Sequence, residues 1–90
     1  MSDRLAEGAL QSARRLGLRV PDDLSIIGFD DAPGAEALQL STVRQPNRRK
    51  GELAARTLLD LVARRPTEPV HVLPTELIVR ASTGPPPGIT

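Results

Sequence analysis

The residues best suited to chemistry are Asp30 and Asp31, adjacent carboxylates in the run Gly28-Phe29-Asp30-Asp31. They follow a short, mostly apolar stretch, Leu24 to Phe29, that reads as a strand. In open α/β sheets ligands bind beyond the carboxyl ends of strands, where the loops diverge and leave a crevice. A carboxylate placed there accepts two hydrogen bonds from neighbouring hydroxyls of a sugar or nucleoside. A second reading stands beside this one: the two acids end the strand and cap the following turn. A third is catalytic, because acids at strand ends also build phosphoaspartyl and metal-dependent hydrolase sites. Those sites need a phosphate-cradling loop or further metal ligands, and the sequence offers Asp30 and Asp31 no such companions.

The other candidates are weaker. Arg48, Arg49 and Lys50, with Arg44 nearby, resemble a phosphate-binding patch. No aromatic residue interleaves them, and they open a helix, where the macrodipole disfavours cations. A solvated helix face or a contact to another part of the protein explains them as well. His71 has no Ser, Cys or paired acid at a recognisable spacing and reads as an ordinary strand side chain. With no cysteine and one histidine, the chain has neither a disulfide framework nor a thiolate or His-based metal cluster, and no cofactor is implied. One Phe and no Trp or Tyr nearly exclude base stacking on aromatic side chains. A net charge of +1 is too small for a general attraction to DNA or anionic membranes. The start, MSDRLAEGAL, has no apolar signal region, and no run approaches the ~18 apolar residues of a membrane span, so a cytoplasmic chain without membrane contact is expected.

The elements that must position these groups follow from periodicity. Leu5, Ala6, Ala9, Leu10, Ala13 and Leu16 recur at helical spacing, with Ser2 or Asp3 to cap the start and Gly17 to end it, which predicts a helix over 3–16. Residues 24–29, apolar and bounded by acids, suit a strand buried on both faces, as in a parallel sheet. Residues 32–41 read as a loop with one helical turn, and 42–45 as a short strand closed by Pro46. Asn47 offers a cap for a second helix, over 47–64, along which Leu53, Ala54, Thr57, Leu58, Leu61 and Val62 share a face until Pro66. Val70 to Leu73 and Thr75 to Ala81 read as strands, with Pro74 as a bend between them. Residues 84–90, with three consecutive prolines, are expected to form a disordered tail beyond a single domain of residues 1–83. The alternation is that of an α/β fold. Because it begins on a helix with no leading strand, it is expected to be truncated at its N-terminus.

Several stretches in register resemble the sensor domain of LacI/GalR-type transcriptional repressors. They are Ser2 to Leu10, Gly17 to Asp31 (GLRVPDDLSIIGFDD), Leu40 to Pro46 (LSTVRQP), Gly51 with Ala54-Ala55, and Leu73 to Thr83 (LPTELIVRAST). The resemblance spans nearly the whole chain except the tail. It departs at Ala37 to Thr42, where family members often carry a proline and a slightly longer loop.

The resemblance implies part of a type I periplasmic-binding-protein-like fold, a parallel sheet flanked by helices in two subdomains, with an effector held in the cleft between them. It implies that Asp30 hydrogen-bonds the effector, and that Ser2 and Gln45 line the same cleft. The effector is expected to be a sugar or related metabolite, and the parent protein a homodimer in which the first helix and the loop over 32–40 help form the dimer face. Operator DNA would be bound only through a helix-turn-helix headpiece outside these residues. The chain is thus expected to sense and not to catalyse. Two alternatives stay open: part of a solute-binding protein, or a small phosphoryl-transfer or hydrolase domain using Asp30.

Overall fold

A computed structural model describes residues 1–87 of the chain, with the element order α1 (Asp3–Arg15), β1 (Thr42–Arg44), α2 (Asn47–Val62) and β2 (Glu76–Ile78). The chain divides into two compact units, one made of Met1–Arg44 with the chain from Glu76 onward, the other of Gln45–Thr75.

In the first unit, α1 starts where its sequence says it should. Ser2 is extended (φ −61°, ψ 156°) and its hydroxyl accepts from the Leu5 amide at 3.3 Å, satisfying one of the orphan amides of the first turn. Asp3 at the start and Arg14 and Arg15 at the end match the helix dipole. Gly17, at φ 73°, reverses the chain in a Schellman motif, its amide donating to Arg14 O and that of Leu18 to Ala13 O. The face at i, i+3, i+4 and i+7 is inward as predicted, with Ala6 and Ala13 buried and Ala9 and Leu10 half-buried. Leu5 and Leu16, expected on that face, are exposed. The small core gathers Ala6, Ile26, Ala35 and Leu40, with Val20 packed at its edge.

The sheet differs from expectation. The named sheet among the described residues has two strands, β1 and β2, and they are antiparallel, with Thr42 opposite Ile78, Val43 opposite Leu77 and Arg44 opposite Glu76. The expected strand over 24–29 runs parallel to the chain at 41–44, but only as isolated bridges, Ile27 with Ser41 and Asp30 with Arg44. The Gly28 and Asp30 amides donate to Ser41 O and Val43 O at 2.9 and 2.8 Å, while a hydroxyl stands at the next rung. Ser82 Oγ accepts from the Ser41 amide at 2.8 Å and donates to Ile26 O at 2.6 Å, and Thr42 Oγ1 accepts from the Asp31 amide at 3.2 Å. These polar groups are buried yet paired; no buried side-chain nitrogen or oxygen among the described residues lacks a partner. Nor is the segment buried on both faces, since Ile26 is inward whereas Ile27 and Phe29 are 41% and 43% exposed. The turns over 33–39 contain the expected helical bend, closed by Leu38 N to Gly34 O and Leu40 N to Ala35 O.

In the second unit, α2 forms where its periodicity predicts, but both ends differ. Asn47 is the first helical residue and Pro46 the cap, with no side-chain cap bond. The helix ends at Val62 because Arg64 adopts φ 57°, and the amides of Arg64 and Arg65 then close onto Leu61 O and Asp60 O, a Schellman geometry without glycine. No residue of α2 is buried, only Leu53, Thr57 and Asp60 being half-buried, so the expected apolar face is largely exposed. Val70 to Leu73 form no strand, and the strand expected over 75–81 shortens to β2. Of the expected tail, Gly84 exchanges hydrogen bonds with Ser25 Oγ, at 3.0 Å from its amide and 3.2 Å to its carbonyl, and residues 88–90 lie outside those described.

Candidate functional site

The turn over 29–32 carries Asp30 and Asp31, both at positive φ, 125° and 57°. An Asp tolerates the second value locally; the first lies where side chains other than glycine's are strained. Hydrogen bonds along the turn hold it there. Phe29 O accepts from the Asp3 amide at 3.2 Å, the Asp30 amide donates to Val43 O at 2.8 Å, the Asp31 amide to Thr42 Oγ1 at 3.2 Å, and the Ala32 amide to Asp3 Oδ2 at 2.7 Å. Thr42 Oγ1 completes the set by donating to Asp3 Oδ1 at 2.7 Å. Asp3, at 6% exposure, thus ties the start of α1 to this turn and to β1.

Asp31 points into a cationic pair. Its Oδ1 accepts from Arg80 Nη1 at 2.9 Å and its Oδ2 from Arg44 Nε at 2.8 Å, while Arg80 Nη1 also donates to Leu40 O at 2.9 Å. Hydrogen bonding to Arg80, then to Arg44, holds the Asp31 carboxyl below the usual carboxylate range, and Asp31 in turn raises Arg44. Glu76 adds a longer contact to Arg44 at 3.7 Å. Asp31 is therefore committed to structure, and Asp30 beside it is half-buried.

The three expected effector residues are distributed unevenly. Ser2 and Asp30 belong to the first unit, where the Asp3 to Phe29 hydrogen bond sets the Ser2-Asp3 step against the Phe29-Asp30 step. The Ser2 hydroxyl, an acceptor in the helix cap, retains its proton to donate. Gln45 belongs to the second unit, and its Oε1 accepts from Lys50 Nζ at 2.7 Å. Of the basic run, Arg48 pairs with Glu52 at 3.6 Å on an exposed helix face. His71 is exposed, lining with Arg49, Arg56 and Leu73 a shallow groove of about 420 Å³ in the second unit. The first unit has a larger groove of about 600 Å³, between α1 (Leu10, Arg14) and residues 37–39, with Leu18 and Val20. It contains neither Ser2 nor Asp30, so this groove and the clamped turn are separate features. Among the described residues no cluster of three or more His, Cys, Asp or Glu is arranged to hold a metal, and no helix is long and apolar enough to cross a membrane.

Sequence reasoning missed Asp3, Thr42 and Arg80. The available signal was an acid directly after a helix cap, followed much later by a Thr and an Arg flanking short strands; only the fold brings the three to one turn.

Residues 1–83 match the family described as periplasmic binding protein-like domain, which defines the class: a ligand-binding domain of that type. The relatives narrow it. The chain is 44% identical over 90 residues to the HTH-type transcriptional regulator MalR of Streptomyces coelicolor, covering 97% of this chain and 26% of that protein. It is 39% identical over 85 residues to the ribose operon repressor of Halalkalibacterium halodurans, covering 91% and 26%. Among solved structures it superposes on a dimeric Lac repressor with a TM-score of 0.84 at 31% identity, covering 94% of this chain and 32% of that one. A LacI-family regulator from Corynebacterium glutamicum gives a TM-score of 0.79 at 37% identity, covering 92% and 25%. The chain belongs to the LacI family of transcriptional regulators and corresponds to part of their periplasmic-binding-protein-like domain. It spans about a quarter of the length of the curated relatives it matches. These relatives are named as regulators and repressors, not as enzymes.

Proposed function

We propose that this chain is the part of a LacI-type regulator that senses a small-molecule effector, a sugar or related metabolite, with Asp30 accepting hydrogen bonds from its hydroxyls. The observation that carries the reading is the clamped turn: a carboxylate held in a conformation it does not favour, beside an acid already consumed by two arginines. Strain of this kind concentrates where a side chain must be aimed. Ser2 contributes a hydroxyl from the adjoining step, and Gln45 is a further effector residue by the family resemblance. In the complete domain the segment 26–30 serves as one strand of a parallel sheet and Asp30 stands at its ligand-bearing end.

The parent protein works as a cytoplasmic homodimer, with α1 and residues 32–40 in the dimer face, and touches operator DNA through a headpiece outside these residues. Effector binding and DNA binding are then reciprocally coupled. The names of relatives that point to ribose and arabinose regulation support sugars as the first probes. The test is amide shift mapping of the isotope-labelled chain against ribose and arabinose. Shifts centred on residues 2–3 and 29–32 support the assignment; shifts confined to the groove of Leu10, Leu18 and Leu38 contradict it.

A further inference from the structure

We infer that Asp3 and Thr42 are positioning residues, which together lock the backbone around Asp30 so that its carboxylate is presented in one orientation. The inference rests on the reading of Asp30 as an effector ligand and adds the machinery that aims it. Thr42 is fully buried and its hydroxyl works in both directions, accepting from the Asp31 amide and donating to Asp3 Oδ1. Asp3 uses its other oxygen on the Ala32 amide and its own amide on Phe29 O. The contacts fall at residues 29, 31 and 32, on both sides of Asp30, whose own amide is fixed to Val43 O. An unclamped turn would relax Asp30 away from φ 125°, a region open to glycine and costly to other residues. The clamp's bonds all run to backbone atoms or between Asp3 and Thr42. A ligand at Asp30 would therefore meet a residue whose backbone geometry has been set before binding.

The experiment is a thermal-denaturation cycle on the whole chain, independent of any ligand. Asp30→Gly removes the strain, so the midpoint is expected to rise, on the order of 5 °C for a domain of this size. In a Thr42→Val background the turn relaxes by itself, so the gain should fall by at least half, and Thr42→Ser, which keeps the hydroxyl, should restore it. An equal gain in both backgrounds, or a loss on Asp30→Gly, overturns the inference. If Thr42→Val does not fold, hydrogen exchange in the native chain decides: amides 31 and 32 protected like those of the core uphold the clamp, and exchange at unfolded rates rejects it. A passed cycle together with unaltered sugar affinity in Asp30→Asn would keep the clamp and discard the effector role, so the two failures are distinct.

Discussion

Replacing Gly28 by alanine should damage this chain far more than its one added methyl suggests. A Cβ at Gly28 would overlap Asp3 Oδ1 and lie 3.0 Å from Leu40 Cδ2 and 3.1 Å from Asp3 Cγ. Leu40 is fully buried and cannot retreat. Asp3 can make room only by giving up its bonds from Thr42 Oγ1 and the Ala32 amide, both 2.7 Å. Bonds to a charged group contribute about 1.5–3 kcal/mol each, so the loss is on the order of 3–6 kcal/mol. The reduced freedom of the unfolded chain returns only about 0.4–1 kcal/mol. Small domains are stable by roughly 5 kcal/mol at the low end of the usual range, so a net loss of about 2–5.6 kcal/mol should remove a large part of the chain's stability and lower its urea midpoint sharply. Urea denaturation followed by circular dichroism measures this directly. Gly8 and Gly51, inside α1 and α2 with nothing within 4 Å of where an added methyl would stand, are the controls, and alanine at either should stabilise by about 0.5–1 kcal/mol. In an Asp3→Ser background the Gly28→Ala penalty should shrink. A Gly28→Ala chain as stable as the native one would refute the reasoning, because the buried Asp3 carboxylate would then not be where its bonds place it.

Arg64→Gly should stabilise the second unit by about 0.5–1 kcal/mol, read as a raised urea midpoint, because the left-handed residue that closes α2 is here a non-glycine. The Asp31 carboxyl, lowered by Arg80 and Arg44, contributes stability that is present above its ordinary value of about 3.9 and is lost as pH falls through its depressed folded value. Urea midpoints measured from pH 6 down to 2 should therefore fall on acidification, and Asp31→Asn should be less stable at neutral pH with a shallower fall; parallel curves for the two would count against the ion-pair assignment.

The sequence made the local features legible and left the long-range ones hidden. Ser2 before a helical run and Gly17 after it announce α1 at both ends, since cap and reversal depend on neighbours alone. Arg64 shows the limit: it takes the same left-handed role without glycine, so the helix expected over 47–64 ends at Val62. Ile27 and Phe29 looked fit for a strand covered on both sides, but covering depends on what packs there, and each is partly exposed. The hydroxyl bonds of Thr42 and Ser82 were hidden, because their partners lie 11 and 41–56 residues away and leave no periodic trace. Asp30 was legible as a candidate because an acid pair closes an apolar run. That Asp31 belongs to Arg44 and Arg80 was not, since the partners stand 13 and 49 residues off. Asp3, weighed only as a helix cap, proved to be the tie between α1 and the turn for the same reason.

The most direct test of the central claim is calorimetric. Residues 1–83 are grafted in place of the matching segment of the Halalkalibacterium halodurans ribose operon repressor, and ribose is titrated into the graft and into its Asp30→Asn variant. Loss of a hydrogen bond to a charged acceptor, about 1.5–3 kcal/mol, predicts roughly a tenfold or greater weakening with an unchanged circular dichroism spectrum. Equal affinity for ribose in the two proteins would contradict the account.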